Sequence, residues 1–187
     1  MYNETHRPQF HFSARENWLN DPNGLFFYDG QYHLFFQHNP FGTAWGNMTW
    51  GHALSPNLLH WRQVEHALYP DSLGTMFSGS AVVDWHNTTG FQAGDQPPIV
   101  LIYTAAGGTS PESQGKPFTQ CLAFSTDGAQ TWQKYPGNPV LGEQRSGNRD
   151  PKVTWHDPTR RWIITRYLDE NDFALYGSPD LIHWEHL

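Results

Sequence analysis

The chain has 187 residues, enough for one domain with a sizeable core, and only 16 % of them are charged. A net charge of −7 with eleven Lys plus Arg and no basic stripe argues against a nucleic-acid partner. No run of about eighteen apolar residues is present to span a membrane, and the first residues carry no apolar signal-peptide core. Cys121 is the single cysteine, so no intrachain disulfide can form and the redox compartment stays open. Aromatic residues reach 16 %, with nine Trp. That richness suits an all-β protein with a carbohydrate-facing surface, because aromatic rings cover the apolar faces of sugars. Most of the rings must still be core.

In chain order, Trp18-Leu-Asn-Asp-Pro-Asn-Gly24 reads as a stiff turn that holds Asp21 just before an apolar strand, Leu25–Tyr28. Taken alone, Asp-Pro-Asn-Gly reads equally well as a plain polar turn. Asp29-Gly30 is a hairpin signal, followed by strands over Tyr32–Gln37 and Thr49–Leu54. A second unit reads Phe77-Ser-Gly-Ser80, then strands over Ala81–Asp84, Ile99–Thr104 and Gln120–Phe124. A third reads Arg149-Asp-Pro-Lys152, then strands over Lys152–Trp155, Trp162–Arg166 and Phe173–Tyr176.

The three units end alike. Ser55-Pro-Asn-Leu-Leu-His-Trp61, Ser125-Thr-Asp-Gly-Ala-Gln-Thr-Trp132 and Ser178-Pro-Asp-Leu-Ile-His-Trp184 share a Ser, an Asn or Asp, and an anchoring Trp that opens a fourth strand. No sustained helical period appears. Four antiparallel strands per unit, repeated, describe β-propeller blades over about 20–70, 77–140 and 149–187. A β-sandwich with coincidental Ser…Trp turns is the alternative. Equivalent positions of successive blades surround one axis, so Asp21, Ser78 and Asp150 are expected at one funnel mouth. Gln9-Phe-His-Phe-Ser13 alternates like an edge strand and is expected to pair with a last blade.

These motifs, with Phe35-Phe-Gln-His-Asn-Pro40 and Trp45-Gly-Asn-Met-Thr-Trp-Gly-His52, resemble glycoside hydrolase family 32, the invertases, levanases, exo-inulinases and other β-fructosidases. The resemblance runs from about Arg7 to the last residue. It implies a five-bladed propeller, of which this chain covers about three blades, usually followed by a β-sandwich. It implies Asp21 as the nucleophile that forms a covalent fructosyl-enzyme, and Asp150 as the carboxylate that stabilises the oxocarbenium-like transition state. It further implies sugar contacts from Asn20, Gln37, Trp45, Phe77, Ser78 and Arg149, with Arg149 helping to keep Asp150 ionised. For Trp45 and Phe77, core packing is the alternative.

A retaining glycosidase also needs a general acid/base carboxyl. The family's Glu-Cys motif for it is absent: Glu185 precedes His186, Cys121 follows Gln120, and Glu143 and Glu170 match no motif. Trp61 to Gly79 and Trp132 to Asp150 both span 18 residues, which puts the equivalent glutamate roughly 15 residues beyond Leu187. The resemblance therefore points to the N-terminal portion of an enzyme acting on fructan or sucrose, extracellular or periplasmic. The rest of that enzyme, or another chain, is expected to cover the open blades.

No cofactor and no metal are expected. The eleven His include no His-x-x-x-His pair on a helix, and Asp169-Glu-Asn-Asp172 lacks calcium-loop spacing and reads as a solvated loop at the funnel rim. Asn-x-Thr triplets at Asn3, Asn47 and Asn87 matter only in a eukaryotic secretory pathway. Rival readings are a non-catalytic fructan-binding module or inactive fragment, a sialidase-like propeller, and a fructosyltransferase using the same two Asp. The sialidase box would need its Gly one place later than Gly128.

Overall fold

The computed structural model describes residue 2 and residues 4–187, so the triplet at Asn3 lies outside the described residues. Among the described residues, twelve strands form three antiparallel sheets of four, each a meander in chain order. The first contains β1 (Trp18–Tyr28), β2 (Gln31–Asn39), β3 (Thr49–Ser55) and β4 (Arg62–Leu68). The second contains β5 (Thr75–Val83), β6 (Ile99–Ala106), β7 (Phe118–Ser125) and β8 (Gln133–Lys134). The third contains β9 (Arg149–His156), β10 (Arg161–Asp169), β11 (Asp172–Ser178) and β12 (Glu185–His186). The only helical element among the described residues is a single 3-10 turn, Pro111–Ser113, and none is long and apolar enough to cross a membrane.

Local chemistry accounts for the turns. Asp29 and Gly30 have φ of 46° and 75°, the positive values that a tight hairpin between Tyr28 and Gln31 requires. Each sheet closes through the repeated Ser turn. Asp180 N–H donates to Ser178 Oγ at 3.1 Å, Ile182 and His183 N–H donate to Asp180 Oδ1, and Trp184 Nε1 donates to Leu181 O at 2.9 Å. Ser55, Asn57 and Trp61 repeat these contacts. The unit-two turn has one more residue, and its Trp132 instead packs edge-on against Phe35 of the first sheet, at 5.4 Å. In all three copies the Trp stands one residue before the fourth strand, not within it.

The second sheet is the filling between the other two. Every residue of β6 is buried, because its alternate side chains face opposite neighbours. Leu101 and Tyr103 join Phe35, Trp50, Leu68 and Met76 in one apolar cluster. Val100 and Ile102 join Leu122, Trp162 and Ile164 in another. Burying each such side chain is worth about 1.5–3 kcal/mol. β10, by contrast, alternates buried and half-buried positions, since one of its faces meets no other described sheet.

The innermost strands are β1, β5 and β9, and side chains stitch them together. Ser78 Oγ donates to Asp21 Oδ2 at 2.7 Å, and Gly79 N–H to Asn23 Oδ1 at 3.3 Å. Ser80 Oγ donates to Pro151 O at 3.1 Å and accepts from Val153 N–H at 3.0 Å. A Cβ on Gly24, whose φ is +51°, would lie 2.9 Å from Ala81 Cβ, so this approach of β1 to β5 needs glycine.

Two expectations are corrected. The motifs around Asp21, Ser78 and Asp150 do not precede the inner strands; they lie within them. Pro22 and Pro151 are tolerated there because an innermost strand has a ladder partner on one side only. Gln9–Ser13 forms no strand. Its Phe12 packs on Phe36 at 4.8 Å and Trp61 at 5.8 Å, so the segment covers apolar surface of the first sheet.

A stack of rings runs through the first sheet: Phe26 on His33 at 4.6 Å, His33 by His52 at 5.3 Å, and His52 on Phe35 at 4.5 Å. His33 Nδ1 and His52 Nε2 share a hydrogen bond of 3.1 Å. Burial pushes His33 down to about 4 and His52 down to about 3, with His33 and Arg62 adding to the shift of His52. Folded values below the free imidazole value mean full support above about pH 6.5, lost as pH falls toward the folded values. Acid titration of stability should therefore show a steep loss between pH 6.5 and 4. His52→Gln should reduce that loss by on the order of 3 kcal/mol at pH 4. Identical pH profiles for the two proteins would refute the assignment.

Candidate active site

Each inner strand carries a β-bulge at its motif. Between the pairs Leu19↔His38 and Pro22↔Phe36, β1 has one residue more than β2, and the excess falls at Asn20 and Asp21. Between Met76↔Ala105 and Gly79↔Tyr103, β5 has one more than β6, at Phe77 and Ser78. Between Lys152↔Thr165 and Arg149↔Tyr167, β9 has one more than β10, at Asp150 and Pro151. Bulges break the ladder and re-aim a side chain. Asp150 takes φ of +57°, in the left-handed region that Asp tolerates better than most residues.

The bulges converge. One cavity of about 160 Å³ is lined by Asn20, Asp21, Gln37, Trp45, Phe77, Ser78, Arg149 and Asp150, together with Trp18 and Met48. All eight residues singled out from the sequence are thus brought together. Trp45 is 56 % exposed, which excludes core packing as its role. It meets Phe77 edge-on at 6.1 Å, and Phe77 in turn leans on Phe118 at 5.4 Å.

Gln37 is 4 % exposed, yet its Nε2 has no hydrogen-bond partner. An orphaned buried amide is costly, and here it sits in the wall of a cavity. A hydroxyl entering the cavity can satisfy it.

Burial raises the Asp150 carboxyl above its ordinary value, and the Asp21 charge adds to that. Arg149, with Nε 3.5 Å from Asp150 Oδ2, pulls the other way without prevailing. The expectation that Arg149 keeps Asp150 ionised is therefore only partly met. The guanidinium is divided among Asp150, the Gly147 carbonyl at 2.9 Å and the Tyr167 ring at 4.6 Å.

Among the described residues, Asp21 and Asp150 are the carboxylates that line the cavity. Glu185 lies on the outermost strand and pairs with Arg161 at 2.7 Å. The acidic turn at Asp169 and Asp172 is bridged by Arg145, at 2.7 and 3.2 Å. No group of three side chains suited to hold a metal ion occurs among the described residues.

Sequence reasoning missed three contributors. Trp18 and Met48 line the cavity as well. Asn39 organises the loop that presents Trp45: its Oδ1 accepts from Phe41 N–H at 3.0 Å, and its Nδ2 donates to Ala44 O at 2.8 Å. An Asn directly before a Pro at the end of a strand was the available signal.

Comparison with known proteins agrees with this geometry. The model of the glycosyl hydrolases family 32 N-terminal domain matches residues 11–187. A levanase from Bacillus subtilis is 45 % identical over 184 residues, which cover 98 % of this chain and 26 % of the levanase. An invertase from Schizosaccharomyces pombe is 43 % identical over 195 residues, covering 100 % of this chain and 32 % of the invertase. The crystal structure of an exo-inulinase from Aspergillus awamori superposes with a TM-score of 0.89 at 39 % identity, covering 100 % of this chain and 40 % of that one. The chain spans less than half the length of each of these relatives. With three four-stranded sheets arranged as in these neighbours, it belongs to glycosyl hydrolase family 32.

Proposed function

We propose that these residues form the fructosyl-binding pocket of a retaining β-fructosidase that releases terminal β-D-fructofuranosyl units from fructan or sucrose. The observation that carries this reading is the meeting of Asp21, Asp150 and the orphaned Gln37 amide in one aromatic-walled cavity of about 160 Å³. That volume is well under the roughly 300–1,000 Å³ of pockets for drug-sized ligands, so it suits one sugar ring. The relatives named above carry the names levanase, invertase and exo-inulinase, which supports the substrate class.

In this reading Asp21 attacks the anomeric carbon, and Ser78 holds its carboxylate in line through the 2.7 Å hydrogen bond. Asp150 accepts from ring hydroxyls. Burial raises the Asp150 carboxyl, and repulsion from Asp21 in the same cavity adds to it. Positive charge developing on the furanose ring relieves that repulsion, so the transition state gains more than the ground state. Trp45 and Phe77 exclude water beside the ring. The acid/base carboxyl must stand about 5–5.5 Å from the nucleophile. We assign it to a part of the enzyme outside these 187 residues, since the relatives named above are more than twice as long. The 187 residues by themselves, with two carboxylates at the cavity, would then bind fructosyl units without turning them over.

In the complete enzyme, Asp21→Asn should abolish turnover of sucrose and levan, and product released by the wild type should keep its β configuration. Inverted product, or normal turnover by Asp21→Asn, would sink the reading.

Asp150→Asn should separate activity from stability. It should lower kcat by about two to three orders of magnitude. A raised folded value means that Asp150 supports the fold only while protonated, and that this support is lost as pH rises through the folded value. The variant should therefore unfold at a higher temperature than wild type at pH 7, with the gain vanishing below about pH 3.9. A lower midpoint at pH 7 would contradict the electrostatic account.

Gln37→Met keeps volume and removes the orphaned amide. Its midpoint should equal or exceed wild type, while kcat/KM falls by about 1–3 kcal/mol in transition-state binding. Unchanged kcat/KM would show that the amide makes no sugar contact.

A further inference from the structure

We infer that Trp50 is a positioning residue for Asp21, acting through the Phe77 carbonyl and the Ser78 hydroxyl; this rests on the reading of Asp21 as nucleophile. Trp50 belongs to the Trp45–His52 motif, yet it lines no part of the cavity. It is fully buried, at 0 % exposure, on β3. Its ring lies 5.6 Å from Phe35 and 6.2 Å from Tyr103, which alone would describe a core residue.

Its indole Nε1 does something a core ring need not do. It crosses from the first sheet to the second and donates to the backbone carbonyl of Phe77 at 2.9 Å. Phe77 and Ser78 are the bulge of β5, where the ladder to β6 is interrupted. The bulge is also pinned on either side. Met76 N–H donates to Met48 O at 2.8 Å, and Gly79 N–H donates to Asn23 Oδ1 at 3.3 Å. Between those two ties, the peptide that follows Phe77 sets the direction of the Ser78 side chain, and Trp50 holds that peptide by its carbonyl. Ser78 Oγ then reaches Asp21 Oδ2 at 2.7 Å.

Two hydrogen bonds, joined by the Phe77–Ser78 peptide, thus connect a buried indole to the attacking carboxylate. Without the indole N–H the Phe77 carbonyl is free to rotate, and the hydroxyl that aligns Asp21 turns with it. Misplacing a reacting group by about 1 Å can cost on the order of a hundredfold in rate.

Trp50→Phe keeps an aromatic ring and removes the donor. A second variant carries 3-benzothienylalanine at position 50, with the indole shape and no N–H, so packing is preserved if the phenylalanine variant folds poorly. In the complete enzyme either change should lower kcat on sucrose at least about tenfold while KM stays within about threefold. The decisive readout is a double-mutant cycle with Ser78→Ala. If Trp50 acts through Ser78, the double variant has the kcat of Ser78→Ala alone, whereas a purely structural Trp50 gives multiplicative losses. A crystal structure of the benzothienyl variant should show Ser78 Oγ out of hydrogen-bond reach of Asp21. Wild-type kcat, multiplicative losses, or an intact Ser78–Asp21 contact would each overturn the inference. An inactive wild type would count against the proposed function instead, and the crystallographic readout would still decide this one.

Discussion

The hydrogen bond from Ser78 to Asp21 joins two strands that share no backbone ladder. β1 and β5 belong to different sheets, so only side chains and close backbone approach connect them. Ser78 to Asp21, Gly79 to Asn23 and Ser80 to both Pro151 and Val153 make that connection across three consecutive inner strands. The site depends on this stitching. A bulge by itself only permits a side chain to turn; the contact across the axis determines where it points. The apolar clusters on either side of β6 hold the sheets at the separation these short contacts need.

The electrostatics of the cavity follow from the same convergence. Placing Asp150 in a half-buried position beside Asp21 makes the Asp150 charge harder to hold, and Arg149 relieves this only in part. On the proposed function, stability at the centre of the molecule is thereby set against chemistry, since positive charge developing during reaction would relieve the repulsion from Asp21. The neutral His33–His52 pair shows the opposite arrangement. Deep burial there disfavours charge altogether, and the pair supports the fold while the protein is not acidified.

Much of this was legible in the amino-acid sequence because the turns are written in side-chain chemistry. The Ser, Asx and Trp of the closing turns make the same hydrogen bonds in the first and third sheets, so the four-strand repeat could be read from them. The eight cavity residues could be named from their motifs, and they line one cavity. The position of those motifs within the strands could not be read. Pro22 and Pro151 look like turn formers, and a one-residue excess in a strand is a property of the pairing, invisible until the partner strand is known. Trp50 was hidden for a related reason: its indole acts on a backbone carbonyl 27 residues away, across a sheet boundary. Gln9–Ser13 misled because alternation marks one apolar face, and a single Phe12 packed on Phe36 satisfies that face without any strand.

The measurement that bears most directly on the account is the identity of the residue that carries the sugar during turnover. Rapid acid quenching of the complete enzyme with substrate, followed by proteolysis and peptide mass mapping, should find a fructosyl adduct on the peptide containing Asp21, and none on the peptide containing Asp150. An adduct on Asp150, on any residue outside the three inner strands, or on no residue at all under saturating substrate would contradict it.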